Sequence, residues 1–205
     1  MKKSDRIAGS AFQQLTEDHC SILKRAFESY LIWEYFGDLI RNVHRGDAEY
    51  PRVFFFQPLT LALVSAAFDS FVVNLYKFHD NRSHELEDLV DVGVKHGGIN
   101  HSLESSLRMQ IKDAASIATK MNIATLRNQH VGHYNPAVEG WNALTTVNLA
   151  KKEVREYFKK IAAILQGCVF RARFNHSPPR YNQSEKQIQD NAKIIIGYIS
   201  GKKSP

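Results

Sequence analysis

From Leu59 to Phe78 the apolar residues lie on nearly every side of the helix the segment would form, with Asp69, Asn74 and Lys77 as its polar exceptions. A helix that is apolar all round has to be wrapped by others, so this stretch predicts a central buried helix. Its most apolar part, Leu59 to Phe68, is interrupted by Thr60 and Ser65 and ended by Asp69. Read that way it is too short to span a bilayer and suits a protein core. Asp69 reads first as a partnered structural carboxylate, because buried charges are paired, and second as a group that could orient a catalytic residue.

The rest of the chain supplies the wrapping. A first helix is predicted over residues 16–45, where Ile22, Ala26, Tyr30, Trp33, Gly37 and Ile40 recur at three- and four-residue steps. Gly46 to Arg52 reads as a loop, and Pro58 as the first turn of the central helix. Ser83 is a predicted N-cap for a short helix ending near Lys95, before His96-Gly97-Gly98. The next helix is predicted from Ser102 through Leu107, Ile111, Ala114, Ala118 and Met121 to Arg127.

A helix over residues 148–170 carries Val154, Tyr157, Ile161, Ile164, Leu165 and Cys168 on one stripe, and Ser177-Pro178-Pro179 breaks the chain after it. The tail restarts at Ser184, with Gln187 completing a capping-box pattern and Ile188, Ala192, Ile195 and Ile199 one face wide. No strand-like alternation persists and no internal repeat is present. The expected architecture is all-α, a bundle of about five to six helices, with residues 1–176 as one domain and 177–205 as a helical tail packed on or near it.

At 205 residues the chain can bury a core without disulfides or metals. Cys20 and Cys168 fit no ligand or redox spacing and read as reduced core thiols. The N-terminus, MKKSDRIAGS, has basic residues but no apolar segment behind them, so it does not read as a signal peptide, and a cytoplasmic location is expected. A formal net charge of +6 leans towards an anionic partner.

The residues with the most chemistry are LRNQHVGHYN, Leu126 to Asn135. The bare pattern of Arg, four to six residues, His is uninformative, since about 1.6 matches are expected by chance. The chain holds two, Arg127…His133 and Arg171…His176. Arg127 is set apart by Asn128 beside it, by Gly132 before His133, and by the predicted helix end beneath them. Six residues of straight helix turn through about 240°, so Arg127 and His133 meet only if the turn distorts or if two chains combine.

LRNQHVGH resembles the Arg-polar-x(3–5)-His signature of the HEPN superfamily of compact helical domains. LYKFHDNRSHELEDLV, residues 75–90, is similar to the corresponding helix end and short helix of abortive-infection-type HEPN proteins. The resemblance implies a HEPN-like helical bundle and a metal-independent endoribonuclease of phage defence or toxin–antitoxin type. Arg127, Asn128 and His133 would then be catalytic, two copies of the chain would share a cleft, and an antitoxin protein is a possible partner. Some members end the motif His-x-Tyr; here Tyr134 directly follows His133, so that tyrosine's regulatory role does not transfer cleanly. His130 and Tyr134 are accessory candidates, with Asp69.

The chemistry fits these residue types independently. Attack by the RNA's own 2′-hydroxyl needs a group that exchanges protons near neutral pH. It also needs a fixed cation against charge growing on the phosphate, for which arginine's planar fork is suited. No cofactor is implied. Lys151, Lys152, Arg155, Lys159 and Lys160 could track RNA phosphates or simply form a solvated face, and the segment from Arg171 onward adds a local net of +5. His79, His84, His96 and His101 lack metal-ligand spacing. Phe54-Phe55-Phe56 could stack bases, although packing beneath the following helix is the expected role. The competing expectations are a non-catalytic HEPN-like module that binds RNA or a nucleotide or serves in interactions, and a helical adaptor whose motif is coincidental.

Overall fold

A computed structural model describes residues 3–42, 46–48, 50–79, 85–96, 98–128, 151–171 and 182–200. Among the described residues the chain is all-helical, with seven α-helices and no strand. These are α1 (Lys3–Asn42), α2 (Tyr50–Tyr76), α3 (Leu86–Lys95), α4 (His101–Lys120), α5 (Ile123–Leu126), α6 (Lys151–Arg171) and α7 (Asn182–Ser200), with a single 3₁₀ turn, Lys77–His79, after α2. The count slightly exceeds the five to six expected, because the helix predicted from Ser102 to Arg127 is two.

The chain divides into two compact units that do not follow sequence order. The first comprises residues 1–24, 74–126 and 149–180. Here α4 packs along α6 and α3 along α4. The stripes that predicted these helices form the core: Leu107, Ile111, Ala114 and Ala118 on α4, and Val154, Tyr157, Ile161, Ile164, Leu165 and Cys168 on α6, are all buried. Gly167 lets the two helices close up, since a Cβ there would come within 3.1 Å of Leu107 Cδ2. Asn100 starts α4 by accepting a hydrogen bond from the Leu103 amide at 2.9 Å. Arg108 on α4 gathers three carboxylates: Glu87, Asp91 at 2.6 Å and Glu104 at 3.1 Å, and these contacts raise its pKa further. Exposed pairs are weak singly, but a planar guanidinium shared by three acids fixes how α3 lies on α4.

The second unit comprises residues 25–73, 127–148 and 181–205. Its core is an aromatic cluster between α1 and α2. The ring of Trp33 stacks on Phe71 with centroids 6.2 Å apart, Tyr30 lies 5.5 Å from Phe71, and Trp33 lies 5.6 Å from Phe68. Ser29 and Ser70 hydroxyls meet at 2.9 Å beside it. On α7 Ala192 and Ile199 are buried, but Ile195, expected on the same stripe, is exposed.

The central helix differs from expectation at its start. It begins at Tyr50, not near Pro58: Pro51 occupies its first turn and Pro58 lies inside it. Phe54, Phe55 and Phe56 are therefore helical and point about 100° apart, so they cannot all face a core. Phe54 and Phe55 are 58% and 76% exposed, which corrects the expectation that they pack beneath the helix. Leu59 and Leu63 extend this outward apolar face. Leu59 to Phe68 is only the most apolar stretch of a longer helix. By length and composition Tyr50–His79 is long and apolar enough to cross a membrane, and 44% of its apolar window is buried inside the protein.

Candidate functional site

The helix leading to the Arg-His motif is not continuous. α4 closes where the Met121 and Asn122 amides donate to Ile117 O and Thr119 O. Asn122 then takes φ 54°, the left-handed conformation that asparagine tolerates better than most residues. The chain restarts as α5, with the Leu126 amide donating to Asn122 O at 3.0 Å. Over Arg127 and Asn128 the backbone widens into a π-type turn. Either a distorted turn or a second chain could bring Arg127 and His133 together; of that stretch only Arg127 and Asn128 lie among the described residues.

Arg127 is half-buried and donates from Nη1 to Asn128 Oδ1 at 2.9 Å. With its carbonyl oxygen accepting this bond, the NH₂ group is the donor side of the Asn128 amide. The partner of the Asn128 amide among the described residues is thus the neighbouring arginine itself. His130, His133 and Tyr134 lie outside the described residues, as does His176 of the second motif match.

The remaining predicted residues fall as follows. Asp69 on α2 is half-buried and engaged by a neighbour. On α6 Lys151, Lys152 and Lys159 are exposed, while Arg155 and Lys160 are half-buried. Lys160 Nζ lies 3.3 Å from Asp113, and Lys151 and Arg155 are also engaged by neighbours, so at least three of the five cations already have a partner. Steps of three and four residues place Lys152, Arg155 and Lys159 along one strip of the helix. Burial pushes the thiols of Cys20 and Cys168 up to about 11 and about 12, with Glu17 adding to the rise at Cys20 and Cys20 to that at Cys168. Among the described residues no three His, Cys, Asp or Glu side chains group to hold a metal ion.

One buried polar pair was not anticipated. His79, at the end of the 3₁₀ turn, places Nε2 2.5 Å from the hydroxyl of Tyr157, which is fully buried. The phenol proton must go somewhere, and leaving it unpaired in the core would cost about 1–3 kcal/mol. Tyr157 therefore donates to Nε2, which puts the imidazole proton on Nδ1. Burial lowers the His79 pKa to about 4, so the ring is neutral at pH 7 and able to accept this bond. The same burial raises the Tyr157 pKa.

His79 also lines a cavity of about 320 Å³ with Tyr76, Ala115, Ala118, Thr119, Asn122, Ile123 and Ala124. Ala118 and Ile123 are buried at its base, while Thr119, Asn122 and Ala124 are exposed at its mouth. The signal in the sequence was Tyr157 itself, a phenol on an otherwise apolar stripe, which demands a partner. That partner is 78 residues away along the chain.

Comparison with protein-family models, curated proteins and solved structures finds no significant match to this chain.

Proposed function

We propose that the chain is a HEPN-like, metal-independent endoribonuclease acting in the cytoplasm in phage defence or as a toxin. The observation that carries this reading is the Arg127–Asn128 pair, held at 2.9 Å on a widened turn five residues before His133. Wide turns of this kind are frequent at functional sites. The biological setting, and an antitoxin as partner, rest on the resemblance of LRNQHVGH and residues 75–90 to that superfamily.

In this mechanism the 2′-oxygen of the RNA attacks the adjacent phosphorus. A 2′-O–P bond forms and the P–O5′ bond breaks, leaving a 2′,3′-cyclic phosphate and a 5′-hydroxyl. His133 exchanges the protons, with His130 as a possible second group; Arg127 balances the charge that grows on the equatorial oxygens, and Asn128 orients it. Lys152, Arg155 and Lys159 supply positive charge suited to phosphate contacts. The exposed apolar face of α2, with Phe54, Phe55, Leu59 and Leu63, supports the homodimer this reading expects.

Incubation with mixed RNA in EDTA tests the assignment. Wild type cuts; His133→Ala and Arg127→Ala each lose at least about 100-fold in rate while remaining folded. Undiminished cleavage by His133→Ala would remove the assignment. The second reading, a module that binds RNA without cutting it, is favoured specifically by the exposed lysines of α6, and retained binding without cleavage in wild type would establish it.

A further inference from the structure

The cavity of the first unit is built for an uncharged ligand. None of its eight lining residues carries a formal charge at pH 7, because His79 is neutral there. A phosphate or carboxylate would find no counter-ion, whereas a neutral ring would find four apolar contacts in Ala115, Ala118, Ile123 and Ala124. Two further walls, Tyr76 and His79, are themselves flat rings. Polar groups come from four lining residues. The Asn122 amide and the Thr119 hydroxyl, whose proton goes to Ala115 O at 2.9 Å, belong to exposed residues; Tyr76, itself engaged by a neighbour, adds a phenol, and His79, bonded through Nε2 to Tyr157, keeps Nδ1–H as its donor. Apolar walls with a few placed polar groups and this volume are the usual makeup of a small-molecule site.

We propose that this cavity binds a nucleobase, with a ring nitrogen or exocyclic carbonyl of the base accepting from His79 Nδ1 and its outer edge paired with Asn122. Tyr157 acts as a positioning residue: by donating to Nε2 it fixes the tautomer that makes Nδ1 the donor. The base can belong to a free nucleoside or to single-stranded RNA, and only the second source rests on the ribonuclease reading.

The test uses the full chain and two unphosphorylated probes, adenosine and uridine, with ribose as the control. Amide resonances of Ala115, Thr119, Asn122, Ile123 and Ala124 are followed during titration. At least one nucleoside is expected to give saturable shifts confined to these residues, and ribose none. Thr119→Trp, a change at the exposed mouth that leaves the buried base intact, is expected to abolish them while the rest of the spectrum is unchanged. His79→Phe is expected to weaken binding at least tenfold. No saturable shift with either nucleoside at millimolar concentration, or shifts that persist in Thr119→Trp, would overturn the proposal. A single-stranded tetranucleotide binding more tightly than the nucleoside assigns the base to RNA; equal or weaker binding assigns it to the free nucleoside. Cleavage is read separately. A chain that binds nucleoside but leaves RNA intact loses the nuclease and keeps the pocket, and the converse result does the reverse.

Discussion

Protonating His79 removes the acceptor that Tyr157 needs. The folded-state pKa of about 4 lies below the ordinary histidine value of 6.5, so the unfolded chain binds more protons between those values. Stability from this group is therefore fully present above pH 6.5 and is lost as the pH falls through 4, to a limit of roughly 3 kcal/mol. Urea midpoints measured from pH 7.5 to 4 should decline over that window, and the decline should be smaller in His79→Gln. Identical slopes in the two proteins would contradict the assignment. Arg127 and Asn128 are a different kind of pair, neighbours in sequence and accessible, so their bond adds orientation rather than stability.

Among the elements, those with long stripes of constant spacing were legible from sequence. Ile22, Ala26, Tyr30 and Trp33 on α1, and the full stripes of α4 and α6, are buried as their periodicity requires. Features set by a single residue or by a distant partner were not. The break between α4 and α5 hangs on Asn122 adopting a left-handed conformation, which no hydrophobic period records. The early start of α2 was hidden because Pro51 reads equally well as a loop residue or as a first-turn residue, and Phe54 to Phe56 read as core by composition alone. Of the candidate site, the Arg127–Asn128 pair was legible as local sequence, whereas the His79–Tyr157 pair and its cavity depend on packing between remote segments. The α3–α4 corner offers a prediction at this scale. A Cβ on Gly93 would lie 2.8 Å from Phe12 Cε2 and closer still to the side chain of Ile99, both buried. Gly93→Ala gains helix propensity worth about 1 kcal/mol but overpacks by about 1–3, so a net loss of up to about 2 kcal/mol and a Tm no higher than that of wild type is expected. A raised Tm would show that the corner yields more readily than its packing implies.

For the whole molecule, the outward face of α2 and the net charge of +6 point to partners of different chemistry: an apolar surface of a second copy and a polyanion. Phe55 and Leu59 are exposed, so Phe55→Ser combined with Leu59→Ser should leave the chain folded. Sedimentation at micromolar concentration should find wild type dimeric and the double variant monomeric, with cleavage falling alongside; a monomeric wild type would contradict a shared cleft. The central claim is the reaction itself, and the chemistry of the cut ends tests it most directly. RNA digested by the wild-type chain in EDTA should carry 2′,3′-cyclic phosphates and 5′-hydroxyls, and these ends should vanish with His133→Ala. Ends bearing 3′-hydroxyl and 5′-phosphate, or cyclic ends formed equally well by His133→Ala, would contradict it.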